Sequence, residues 1–286
     1  MVESLLDHLS HGPMNSLSVP KPSKRSYLRN LAGREYYVLK RRLRWLAQSR
    51  NLARPDSTVS LDHLVFSHRT MMLRPLKNVE MYLQHNKITN LRLAIAPING
   101  VVIRPGQTFS IWQMVGRPTA AKGFLDGLVL SNGRIEKGIG GGLCQLGNLL
   151  YWMALHSPLT IAERHRHGFD VFPDINRNIP FACGATLAYN YIDLQLRNDT
   201  SDTFQVNLWL DDEYLNGEIR SSSKPEFKYE VFETDHLIKM QAWGGYTRHN
   251  RIWRRQTSRI DGLTAENLVT ENHAIMMYNP LLTSGT

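Results

Sequence analysis

The sequence predicts an α+β fold: a mixed, hairpin-rich antiparallel sheet, a helix that follows a glycine-rich turn, and a basic N-terminal helix. Three observations carry this. From residue 91 onwards, short alternating apolar segments are separated by Asn-Gly and Pro-Gly pairs, the pattern of strands and tight turns. Helical spacing appears in only a few stretches, and these do not alternate with strands as a doubly wound sheet requires. The chain of 286 residues, 42% hydrophobic and 21% charged, suits one large domain or two small ones and excludes wholesale disorder, collagen and a coiled-coil rod.

Residues 1–23, with His-Gly-Pro, Val-Pro-Lys-Pro and several serines, read as a flexible tail. Residues 24–58 read as a basic amphipathic helix region, with the helix itself over Ser26 to Gln48. There Ala32, Tyr36, Leu39, Leu43 and Leu46 recur at spacings of 4, 3, 4 and 3, a single apolar stripe. Residues 59–286 form the α+β body, with 224–286 as a β-rich extension. In that body a second helix is expected from Pro75 to His85, proline suiting a first turn. Leu91, Leu93 and Ile95 alternate with Arg92 and Ala94 and predict a strand that turns at Asn99-Gly100 into Val101–Ile103. Pro105-Gly106 turns into Thr108–Ser110, and Asn132-Gly133 joins Leu128–Leu130 to Ile135. A helix carries Leu146, Leu149, Leu150 and Met153 on one face and stops at Ser157-Pro158. Strands follow over Ile192–Leu196 and Phe204–Leu210. Asn216-Gly217 is expected to turn the chain back, and short strands with a break at Gly244-Gly245 fill the rest.

The net charge is +9, and residues 21–50, with ten basic side chains and one acid, account for all of it. The rest of the chain is neutral, which argues against a globally basic nucleic-acid binder. Three readings of the basic helix stand: a peripheral helix that packs its stripe on the domain and solvates its arginines, a helix drawn to an anionic membrane surface through 24–50, or a contact to another acidic partner. The longest apolar run, Leu149–Leu155, is too short for a spanning helix of about 20 residues. The start has no basic n-region or apolar h-region, and two cysteines make no disulfide framework. Together these predict a cytoplasmic protein, peripheral at the inner face of the membrane in the second reading.

The most informative stretch for chemistry is Gly140-Gly141-Gly142-Leu143-Cys144-Gln145. Consecutive glycines suit backbone amides that converge on a point, or close approach of another chain segment. Cys144 falls at a helix start, where unpaired N–H groups and the macrodipole favour a thiolate. Gln145 and the amides of Gly140, Gly141 and Gly142 would serve as oxyanion donors. Further on stand Glu163, Arg164, His165 and His167. If this stretch is a strand, Glu163, His165 and His167 share a face, and His167 is the favoured base for Cys144, with His165 the alternative. Glu163 and Arg164 are candidate ligand-binding residues. The competing reading makes the same glycine run a nest for a carboxylate or peptide terminus, with Cys144 as packing. Trp243–Arg255, rich in aromatic and basic residues, reads as a solvated hairpin face or as a polyanion grip. No phosphate loop, dinucleotide fingerprint or kinase signature occurs, so no cofactor is expected. Cys144, His165, His167 and Cys183 lack the spacing of a zinc site, so no metal is expected.

Several of these elements coincide in order: Phe66-Ser67 with Asn78, Asn99-Gly100, Arg104-Pro105-Gly106-Gln107-Thr108-Phe109-Ser110, Gly140 to Gln145, Leu150-Tyr151, Glu163-Arg164 with His167, and Asp193 to Asn198. This resembles the VanW family, found in vancomycin resistance clusters and in many Gram-positive bacteria. The resemblance covers about residues 60–280, and Asn272-His273-Ala274 with Met277-Tyr278-Asn279-Pro280 resembles the ending of the resistance-cluster members. It implies a role in glycopeptide resistance or cell-envelope biology and supplies no settled reaction. A cysteine-dependent hydrolase or acyl transferase acting on cell-wall precursors is one expectation; a non-catalytic peptide- or carboxylate-binding module is the other. Members commonly carry Asp-Ala-Thr-Val where this chain has Gly184-Ala185-Thr186-Leu187, so an acid expected there is missing.

Overall fold

The structure is a computed structural model that describes residues 26–73, 80–131, 134–171 and 179–281. The expected tail at 1–23, Pro75, Asn78 and the Asn132-Gly133 turn lie outside the described residues.

The first helix, α1, runs Tyr27–Ala47, and the Ser26 hydroxyl caps it by accepting the Arg29 N–H at 3.4 Å. Its orientation corrects the expectation that the apolar stripe packs on the domain. Ala32, Tyr36, Leu39, Leu43 and Leu46 are all exposed. The face turned inward carries Val38, Arg41 and Trp45, also at helical spacing. The reason is polar: Arg41 meets Glu163, and the helix rolls to make that pair.

Two strands follow, β1 (Arg54–Pro55) and β2 (His63–Met71). The second helix, α2, spans Met81–Ile95, not the expected Pro75–His85. It absorbs Leu91–Ile95, whose alternation predicted a strand. Leu91, Ala94 and Ile95 also satisfy a one-face helical spacing, and all three are buried. Asn99-Gly100 therefore follows a helix, with Gly100 at φ +78° leading into β3 (Val101–Ile103). After the Pro105-Gly106 turn come β4 (Thr108–Ser110) and the short helix α3 (Ile111–Val115). The expected hairpin is β5 (Asp126–Ser131) with β6 (Arg134–Ile139), and the expected helix after the glycines is α4 (Cys144–Leu155).

Strand β7 (Thr160–Glu163) ends at the acid, and residues 164–167 are irregular, so the strand that would align Glu163, His165 and His167 does not form. Then come β8 (Phe169–Asp170), β9 (Gln195–Arg197), β10 (Phe204–Leu210) and β11 (Tyr214–Ser221). The β10–β11 turn lies at Asp211–Glu213, where the Asp211 carboxylate accepts the N–H groups of Glu213 and Tyr214. Asn216-Gly217, expected as that turn, is strand interior. A Cβ at Gly217 would sit 2.8 Å from the Met153 methyl, so glycine lets α4 close on the sheet. The expected short C-terminal strands are long: β12 (Phe227–Met240), β13 (Tyr246–Ser258) and β14 (Thr264–Met276), with Gly244 turning the first pair at φ +86°.

Four sheets result. The largest is antiparallel in the order β1-β3-β10-β11-β2, and α4 packs across β2 and β11. A three-stranded sheet runs β4-β9-β7, and β5-β6 stands as a hairpin against α2. The C-terminal sheet runs β12-β13-β14-β8, its last pairing parallel. The hairpin expected over Trp243–Arg255 forms, but Thr247–Ile252 is buried in the central strand of that sheet, so its middle is not a solvated face. The main core gathers Leu146, Leu149, Leu150 and Met153 of α4 with Leu91 of α2, Phe109, Phe204 and Ile219. No helix among the described residues is long and apolar enough to cross a membrane.

Candidate functional site

The glycine run closes a backbone crossing. Gly140 N–H donates to Leu125 O, Gly141 N–H to Gly138 O and Gly142 N–H to Leu128 O. All three amides are thus spent within the fold, and none is left to converge on a ligand. What the glycines provide is proximity. A Cβ on Gly141 would lie 2.1 Å from the carbonyl carbon of Gly127, and one on Gly127 would lie 2.5 Å from Gly141 O. Gly140 and Gly142 add left-handed φ values of +77° and +90°. Asn90, fully buried on α2, stitches the crossing: its amide donates to Leu125 O and Gly141 O and its oxygen accepts the Leu125 N–H.

Cys144 follows as the first residue of α4, as expected. The expected thiolate does not. Burial pushes the thiol up from its ordinary value, and the N–H groups of Leu187 and of Cys144 itself offset this only in part. Gln145 is likewise committed. Its amide nitrogen donates to the Thr70 hydroxyl and to Met71 O, both at 2.9 Å, and so ties α4 to the end of β2. It is a brace and not a free oxyanion donor.

Glu163 and Arg164, the candidate ligand residues, are also occupied. Glu163 takes a two-pronged ion pair from Arg41 at 2.5 and 2.7 Å and accepts the Asp193 N–H at 3.2 Å. Arg164 donates to Gly184 O and Ala182 O and lies over the Tyr151 ring. His165 is exposed, with Nε2 3.5 Å from Glu163 Oε1. His167, on the surface, turns Nδ1 to the Phe169 carbonyl at 2.7 Å, and the partial desolvation of its ring lowers its pKa.

These residues nonetheless meet along one segment, Gly184–Leu187. Arg164 grips Gly184 O, the Asn148 side chain of α4 accepts the Ala185 N–H, and Thr186 N–H donates to His165 O. The Thr186 hydroxyl accepts the His167 N–H, and Leu187 N–H reaches the Cys144 sulfur. The cysteine and the two histidines therefore flank the same segment, linked through its backbone and not by a thiol–imidazole hydrogen bond. At Gly184 a Cβ would sit 2.6 Å from the Asn148 oxygen, so a side chain there would displace the amide that holds Ala185.

Beside this segment lies a buried acid that the sequence reading held only as part of the family signature. Asp193 accepts from the Ser110 hydroxyl at 2.5 Å, from the N–H groups of Trp112 and Leu194, and from the Gln195 amide. Burial pushes it up to about 6, and Ser110, Trp112 and Gln195 restrain the rise. Arg41 is the residue missed outright; its signal was an arginine at spacings of 3 and 4 from Val38 and Trp45. Among the described residues, no group of three or more His, Cys, Asp or Glu side chains is placed to hold a metal ion.

The family model described as VanW like protein matches residues 86–220. The chain is 34% identical over 199 residues to the vancomycin B-type resistance protein VanW of Enterococcus faecalis, covering 70% of this chain and 72% of that one. It is 29% identical over 112 residues to the uncharacterized protein YoaR of Bacillus subtilis, covering 38% of this chain and 34% of that one. No solved structure matches. The glycine crossing, the Cys144-Gln145 helix start and the Glu163-Arg164 pair all fall inside the matched segment, and the chain belongs to the VanW family.

Proposed function

We propose that this VanW-family chain acts in glycopeptide resistance or cell-envelope biology as a peripheral, non-catalytic binding module, held on an anionic membrane surface by α1. The observation that carries this is the exposed stripe. Leu28 (75% exposed), Leu39, Leu43 and Leu46 (72%) face away from the body, while Val38 and Arg41 anchor the helix inward. Arg29, Lys40 and Arg44 are exposed beside the stripe. Such a face suits the headgroup–acyl boundary: its leucines gain by leaving water, and each basic residue near anionic lipid adds ~1 kcal/mol. A cell-wall precursor is the ligand class its kinship suggests, met elsewhere than at the glycine amides, which are spent within the fold. A committed Gln145 amide and a thiol held protonated both favour binding over catalysis.

Flotation of the full chain with vesicles of phosphatidylcholine, with and without phosphatidylglycerol, tests the membrane role. Binding only to the anionic vesicles, lost in Leu39→Glu/Leu43→Glu, is expected. Equal recovery of both proteins in the unbound fraction sinks the proposal. The cysteine-enzyme reading retains one observation, the Leu187 N–H aimed at the Cys144 sulfur beside the histidine segment. Alkylation rates separate the two: a rate still climbing above pH 9, the thiol's ordinary value, fits packing, whereas a plateau near neutrality restores the nucleophile.

A further inference from the structure

We infer that the hollow just beyond the C-terminal end of α1 is a phosphate site, for a phosphomonoester or diphosphate at the membrane surface; this rests on the membrane reading above. The hollow has a volume of about 340 Å³ and is lined by Ser49, Arg50, Leu52, Arg54, Arg104 and Gln107. Three separate segments bring three guanidinium groups to it: the turn after α1, strand β1, and the turn between β3 and β4.

The site is built on a fixed floor. Leu52 is buried and bridged to Thr108, and Ala53 N–H donates to Thr108 O at 2.9 Å. Arg104 is held by Asp56 at 2.7 Å, which leaves the rest of its fork of donors for a ligand. Arg50 and Arg54 have no carboxylate partner among the described residues. Gln107 Oε1 accepts the Arg104 N–H at 3.0 Å, so the side chain offers its amide hydrogens and not its oxygen to the hollow. Ser49 adds a hydroxyl. Among the described lining residues no acid appears, and Asp56 answers Arg104 alone, which leaves a surplus of positive charge and several N–H forks.

That set fits a group with three terminal oxygens and nearly two charges, a phosphomonoester, better than a carboxylate or a phosphodiester with one charge. The location fits the same chemistry. Arg50 comes four residues after Leu46, the last member of the exposed stripe, a rise of about 6 Å along a helix. A helix lying in the headgroup layer would carry the hollow to headgroup depth.

The test uses the full chain and two vesicle types matched for surface charge, one with phosphatidic acid and one with phosphatidylglycerol. At least fivefold tighter binding to phosphatidic acid is expected, and Arg50→Gln/Arg54→Gln should bring the ratio to about one with an unchanged urea midpoint. Leu43→Glu/Leu46→Glu should weaken binding to both vesicles and leave the ratio intact. In parallel, inorganic pyrophosphate is titrated calorimetrically without vesicles. Heat that disappears in the double arginine variant, with no vesicle binding by any protein, keeps the site with a free anion as its ligand and removes the membrane reading. A vesicle ratio near one together with no heat from pyrophosphate overturns the site while leaving α1 as the lipid contact.

Discussion

Replacing Arg41 by methionine probes why α1 sits with its leucines outward. The Arg41 and Glu163 side chains are 9% and 15% exposed and joined by two short hydrogen bonds. Removing one partner of a fully buried pair costs roughly 3–5 kcal/mol, and the residual exposure here places the expected loss at about 2–3 kcal/mol. Glu163 would keep the Asp193 N–H, with the Asp193 carboxylate close by and raising the cost of its charge. Glu163→Gln alone strands Arg41 and should cost a similar amount. The double variant, with neither charge, should be less destabilised than the two losses added, giving a coupling energy of at least ~1.5 kcal/mol in urea unfolding. Amide exchange across Tyr27–Ala47 should quicken in Arg41→Met because the helix loses its inward anchor. A coupling energy under ~0.5 kcal/mol, with exchange unchanged, would show that Val38 and Trp45 hold the helix without the pair.

Two glycines should respond oppositely to alanine. Gly141→Ala places a methyl 2.1 Å from backbone, so a loss of about 3 kcal/mol or more in thermal or urea unfolding is expected, whereas Gly33→Ala, with nothing within 4 Å, should stabilise α1 by ~1 kcal/mol. Asp193 sets a pH signature. Its folded value of about 6 lies above the unfolded value near 3.9, so the folded state holds the proton more tightly. Its contribution is therefore full below about pH 4 and is lost as pH rises through about 6, by ~3 kcal/mol. Asp193→Asn should flatten that decline, whatever constant offset its altered hydrogen bonds bring; an unchanged slope between pH 4 and 6 refutes the assignment.

Elements whose signal is local were legible from residue order. The β5–β6 hairpin, α4 after its glycines and the Gly244-Gly245 turn each depend on neighbours only. The family signatures were legible for the same reason, since they are runs of adjacent residues. Errors arose where two patterns overlapped or where distant partners decided. Leu91–Ile95 satisfies both a strand and a helix over five residues, and the buried Asn90, bonded across to Leu125 and Gly141, belongs to the helical answer. Asn216-Gly217 carries a turn signal, yet Asp211 captures the turn earlier and Met153 needs the space above Gly217. The stripe on α1 was read in the right place but on the wrong side. Its true anchor pairs residues 122 positions apart, which no spacing rule reaches. The site fared similarly: Cys144, His165 and His167 do flank one segment, but that segment, and the use of the amides of Gly140, Gly141 and Gly142, follow from long-range backbone contacts.

The matched segment 86–220 begins after β1 and β2, yet β2 lies along β11 from Tyr214 opposite Met71 to Ser221 opposite His63. A fragment trimmed to that segment would bare the outer row of amides and carbonyls on β11, a template on which other molecules extend the sheet. It would also lose the Thr70 and Met71 acceptors that hold Gln145. Such a fragment should precipitate or swap strands between copies, so the boundaries of kinship and the boundaries of independent folding do not coincide in this chain.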